Sequence, residues 1–160
     1  MAYLISRSIQ EWRAGKYASS NVQVLCASIS DSNRVSQLTI AERARAANYL
    51  VDAAGSTEAQ GTRYIQPTVT LTLDFLLEYF PHPSVLKIDV ETHETSVLMG
   101  AKRLLNEVRP TIWCEVSPQN SEDVTKILHA AGYDLSGAQT RPHQRTNRAW
   151  FHTLAVPRAS

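Results

Sequence analysis

Residues Val85 to Glu94 read VLKIDVETHE, an apolar run that breaks into carboxylates and one histidine and then into a periodic helix. Val97, Leu98, Ala101, Leu104, Leu105 and Val108 share one face of that helix, and Pro110 stops it. Thr111 to Val116 returns as an apolar strand. A second helix follows with Asn120 as its cap, Val124, Ile127, Leu128 and Ala131 inward, and Gly132 past its end. Strand, helix, strand, helix predicts an α/β fold of βαβ units on a mostly parallel sheet flanked by helices. Ligands of such sheets bind beyond the carboxyl ends of the strands, which makes Asp89, Glu91 and His93 the candidate site.

The remaining segments fit around this unit. Leu4, Ile5, Ile9 and Trp12 recur at helical spacing before Gly15, which predicts a short opening helix. The β-rich run from Asn21 to Asp31 reads as a buried strand. Val35 to Ile40 and Tyr64 to Leu71 also look like strands, while the Ala/Arg-rich stretch from Ala41 to Ala54 fits either a helix or an excursion. Thr72 is placed to cap a helix with Leu73, Leu76, Leu77 and Phe80 on its apolar face, ended by Pro81 and Pro83. Near the end, Tyr133 to Leu135 and Ala149 to Val156 read as two short strands around a basic loop.

A length of 160 residues with 43% hydrophobic and 19% charged side chains suits one domain over residues 1–160. The formal net charge of +1 gives no general pull toward nucleic acid or anionic lipid. No run approaches the roughly 20 apolar residues of a membrane span, and the start lacks a signal-peptide pattern. Cys26 and Cys114 sit in expected strands among apolar neighbours and read as buried free thiols, consistent with a reducing, cytoplasmic setting. The glycines at 15, 55, 61, 100, 132 and 137 never fall at G-x-G spacing, so a glycine-rich nucleotide cradle is not expected.

A carboxylate at a strand end can act as general base, orient a substrate hydroxyl or meet a cofactor ammonium. Asp89, Glu91 and His93 are spaced by two, so they share a face for as long as the strand continues. Asp89 or Glu91 could equally do no more than cap the following helix. Oxygen and nitrogen donors in this pattern also suit divalent ions, which keeps a metal-dependent hydrolase among the readings. Glu94 is expected to point away from His93. His82, His143 and His152 lack ligand spacing, and His129 falls on the polar side of its helix. Arg141, His143, Arg145 and Arg148 read as a solvated basic loop, with an anionic substrate or nucleic acid as the other possibility.

The VLKIDVETHE string, followed by Val97 to Ala101 (VLMGA), resembles the central motif of FkbM-type methyltransferases, K-I-D-x-E-G-x-E before a leucine-and-Gly-Ala helix. Thr70 to Leu77 is similar to that family's T-L-D-x-L-L approach, and Asn21 to Asp31 to its third strand and acidic turn. The likeness extends through Pro110 to Val116, Ala130 to Tyr133 and Leu154 to Pro157. It implies a partial Rossmann-like class I methyltransferase fold, from a family whose strand order is 3-2-1-4-5-7-6, with an antiparallel strand at the C-terminus. It also implies S-adenosylmethionine as cofactor and a hydroxyl of a sugar or small metabolite as acceptor. Asp89, Glu91 and His93 would then be catalytic, and Cys26, Ala27, Ser28 and Asp89 would meet the cofactor, the first three at its adenine edge.

Two departures from the family pattern stand out. Thr92 replaces the motif glycine, and the first two strands, with their cofactor loop and ribose-binding acid, have no counterpart before Asn21. The strand from Val22 to Ile29 should therefore pair with Val85 to Val90, recruit a second copy or a complementing chain, or pack poorly. A non-catalytic remnant or interaction module is the rival to an active transferase.

Overall fold

The computed structural model describes residues 22–42, 48–51, 61–138 and 145–159. The opening helix expected over Leu4 to Trp12, and most of the stretch from Ala41 to Ala54, lie outside these residues.

Among the described residues nine strands form two mixed sheets. The first joins β1 (Ser28–Ile29), β2 (Arg34–Ala41), β3 (Tyr49–Leu50) and β4 (Thr62–Leu71) in the order β1-β4-β2-β3. β2 and β4 form a long antiparallel ladder, Val35 opposite Val69 and Ile40 opposite Tyr64, while β1 runs parallel to the end of β4. The second joins β5 (Val85–Ile88), β6 (Thr111–Glu115), β7 (Tyr133–Gly137), β8 (Arg145–Thr146) and β9 (His152–Pro157) in the order β5-β6-β9-β7-β8. Only β5 and β6 are parallel within it. The α/β expectation holds, but the sheets are mixed where a mostly parallel one was expected. β9 inserts antiparallel between β6 and β7, while helix-bearing crossovers join β5 to β6 and β6 to β7.

The second sheet buries one face. Ile88, Ile112, Cys114, Tyr133, Leu135 and Ala155 alternate inward and meet Val97, Leu98, Ala101, Leu104, Leu105, Val124 and Leu128 from the helices. Apart from Ala101, in the link that follows, those residues come from α2 (Glu94–Met99), a π-type turn over Leu104–Val108, and α3 (Ser121–Ala130). Cys114 is enclosed as expected, and burial pushes its thiol pKa up to about 12. Gly132 closes α3 at φ +77°, and Arg109 donates to Ala131 O (3.0 Å) and Gly132 O (3.3 Å), satisfying carbonyls that the helix end leaves open.

The helix expected over Val97 to Val108 is broken in two. A Cβ on Gly100 would collide with the carbonyl oxygen of Ser30, so the β1–β2 turn packs directly onto the helix backbone there. Asp74 then accepts from Arg103 N (3.0 Å) and Leu104 N (2.9 Å), capping the second piece. Asp74 belongs to α1 (Leu73–Leu76), whose first turn Thr72 caps as expected by accepting from Phe75 N (3.0 Å).

The strand expected over Asn21 to Asp31 shrinks to two residues. Ser28 and Ile29 pair with Thr70 and Leu71, not with Val85 to Val90, and 22–27 have no strand pairing. Val22, Val24 and Leu25 are exposed, and Cys26 is exposed too, contrary to the expectation of a buried thiol. β-Branched composition suits a pleated surface but does not create a ladder partner.

Candidate functional site

β5 ends at Ile88, and the chain turns instead of continuing extended. Thr92 occupies the left-handed region at φ 59°, the place where the motif has glycine. The expected shared face of Asp89, Glu91 and His93 is thus absent, since period-two alternation lapses once the ladder stops. Asp89 is exposed and pairs with Lys87 Nζ at 3.3 Å; Glu91 is half-buried; His93 is buried. These three do not gather into a metal site, nor do any three His, Cys, Asp or Glu among the described residues. The ligand set required by the metal-dependent hydrolase reading is therefore not assembled.

His93 reaches a different partner. Its Nε2 lies 3.0 Å from Ser30 Oγ, and both residues are buried. This bond ties the end of β1 to the turn after β5, bringing the neighbourhood of Ala27 and Ser28 to that of Asp89 to His93. Ser30 and Ser32 also donate to Asp31 Oδ1 (3.3 and 2.9 Å), and the Ser32 bond leads the effects that hold the Asp31 carboxyl below its ordinary pKa. The turn is anchored further by Asn33, which accepts from Thr72 N at 2.8 Å.

Glu94, expected to point away from the site, is the best-held carboxylate of the region. It is 1% exposed and accepts from Ser117 N (3.1 Å), Ser117 Oγ (2.5 Å) and the Asn120 side-chain amide. Asn120 also donates to Thr92 O (2.9 Å) and makes no side-chain cap to α3, where sequence placed it as the cap. A buried carboxylate is tolerable only with such donors, and here they lock the turn after β5 to the segment after β6. The two hydroxyls beside this lock, Thr92 Oγ1 and Thr95 Oγ1, are buried without a partner. The acid three places beyond Glu91 was visible in the sequence, but its donors lie more than twenty residues downstream and only the fold brings them near.

On the outward face of the sheet a row of polar side chains crosses three strands. Glu115 Oε1 lies 2.6 Å from Lys87 Nζ and 3.9 Å from His152 Nδ1. Burial acts to lower the Lys87 pKa, yet hydrogen bonds to Glu115 and Asp89 outweigh it and hold the ammonium above its ordinary value. Asp89 and Glu115 thereby share the Lys87 ammonium across β5 and β6.

The methyltransferase FkbM domain matches residues 13–135, a span that includes the whole β5 turn and the Glu94 lock. The chain belongs to the FkbM methyltransferase family. No curated protein and no solved structure matches it. No helix among the described residues is long and apolar enough to cross a membrane.

Proposed function

We propose that this FkbM-family chain is an S-adenosylmethionine-dependent O-methyltransferase acting on a hydroxyl of a sugar or other small metabolite. The observation that carries the reading is the family match over the β5 tip, where the Ser30–His93 bond joins the ends of β1 and β5. The order β5-β6-β9-β7, with β9 antiparallel, is that of strands 4-5-7-6 in a Rossmann-like methyltransferase sheet, which supports reading residues 1–160 as one such domain.

The residues present suit two parts of the cofactor. Asp89, an exposed carboxylate at a strand end, would meet its ammonium, and Cys26, Ala27 and Ser28 would lie at its adenine edge. The unpartnered hydroxyls of Thr92 and Thr95 are polar groups left for a ligand or water to satisfy. The cofactor, when bound, supplies the methyl group. In this reading His93 and Glu91 would orient the acceptor hydroxyl or take its proton.

Titration calorimetry with S-adenosylhomocysteine tests this. Binding at about 1–100 μM, weakened about tenfold in Asp89→Asn, supports the transferase. Binding only in the millimolar range, or none, favours the rival non-catalytic module. One observation speaks for that rival: β5 has no strand on its outer edge among the described residues. A complementing strand from a second copy or another chain would attach there, and a cytoplasmic setting suits the free thiols.

A further inference from the structure

Trp150 and Phe151 are 58% and 55% exposed, yet the backbone that carries them is held from several sides. Trp150 N donates to Thr153 Oγ1 (2.7 Å), whose hydroxyl donates back to Trp150 O (2.6 Å), and Thr153 itself is buried. Phe151 O accepts from Val116 N at 3.0 Å, and the Phe151 ring stands edge-on to His152 with centroids 4.9 Å apart. Two large apolar side chains kept in water by an ordered turn are a feature that packing alone does not require.

Their position is informative. β9 runs antiparallel to β6, with His152 opposite Glu115 and Ile88 opposite Cys114 one strand further on. The turn before β9 therefore lies on the same sheet edge as the turn after β5, two strand spacings or roughly 10 Å away. Between them stand Glu115 and the Lys87 ammonium, already engaged by Asp89 and Glu115. Among the described residues Asp89, Glu91 and Glu115 stand at this edge beside the cations Lys87 and Arg148, so neither sign dominates and a charged ligand gains no general attraction. A purely apolar ligand would strip water from those carboxylates without replacing its hydrogen bonds. A neutral carbohydrate satisfies both demands: the C–H face of a pyranose stacks on an aromatic ring while its hydroxyls donate to carboxylates.

We infer that Trp150 and Phe151 form an acceptor platform for an uncharged sugar ring, presented to the turn that holds Asp89, Glu91 and His93. This rests on the methyl-transfer reading for its purpose but not for its test. The full chain, fluorescently labelled, is applied to an array carrying neutral and acidic oligosaccharides. Retention on neutral glycans is expected, falling at least tenfold in Trp150→Ala and Phe151→Ala and largely restored in Trp150→Tyr. Circular dichroism should match across all variants, because the side chains are exposed. Retention of wild type on acidic glycans alone, retention on none, or equal retention by Trp150→Ala would each overturn the assignment. Glycan retention without S-adenosylhomocysteine binding would leave the platform standing and remove the transferase; the reverse result would do the opposite.

Discussion

Glu94 shows how one side chain can hold a site it does not chemically resemble. Its carboxylate is enclosed, and three donors from the segment after β6 converge on it. Glu94→Ala strands those donors, and at about 1–3 kcal/mol per unsatisfied buried group the variant should lose about 2–4 kcal/mol in urea unfolding. Glu94→Gln keeps one acceptor and should lose about half as much. The two cysteines give a second test at this scale. Cys26 is exposed and Cys114 buried, so an aromatic disulfide reagent should titrate one thiol promptly and the second only on unfolding. The Cys114 thiol moves from 9.0 in its ordinary state to about 12 when folded. The native state thus binds this proton more tightly, and the stability it confers is complete below pH 9 and drains away as pH rises toward 12. Urea midpoints measured across that range in wild type and Cys114→Ala should converge at the alkaline end.

The elements that meet at the Ser30 to Asn33 turn are joined by backbone approach more than by side-chain burial. Gly100 is needed because the Ser30 carbonyl occupies the space a Cβ would take, and Asp31 Cα lies 3.2 Å from the same point. Gly100→Ala should cost about 1–3 kcal/mol, since the colliding atom is backbone and cannot rotate away. Nuclear magnetic resonance of the variant should show the imidazole signals of His93 moving, because displacing the turn lengthens the Ser30–His93 bond. Much at this scale was readable from sequence: the Thr72 cap, the β5–helix–β6 succession, the inward face of α3 and the Gly132 stop all appear where periodicity and capping residues place them. The helix break at Gly100 was not, because the strongest helical pattern in the chain says nothing about a carbonyl arriving from seventy positions upstream.

For the whole molecule, hydrogen exchange should separate two regimes. Amides of Ile112 to Glu115, in a strand paired on both sides and buried on one face, should be among the slowest, and those of 23–27 should exchange fast. Slow exchange across 23–27 in a monomer would contradict the short β1. Leu98, 1% exposed at the centre of the helix–sheet core, should cost about 2–5 kcal/mol when cut to alanine and should lower one cooperative transition. At this scale the chain's own letters determined the family, through a ten-residue motif and its helix, and they determined which strands and helices carry the core, because hydrophobic period is a local property of the sequence. What only the tertiary structure decided is where β5 stops, that Asn120 serves Glu94 and Thr92 instead of its own helix, that His93 meets Ser30, and that Trp150 and Phe151 share an edge with the acidic turn. Each of these depends on groups far apart in the chain arriving within a few ångströms of one another, and no local pattern encodes that meeting.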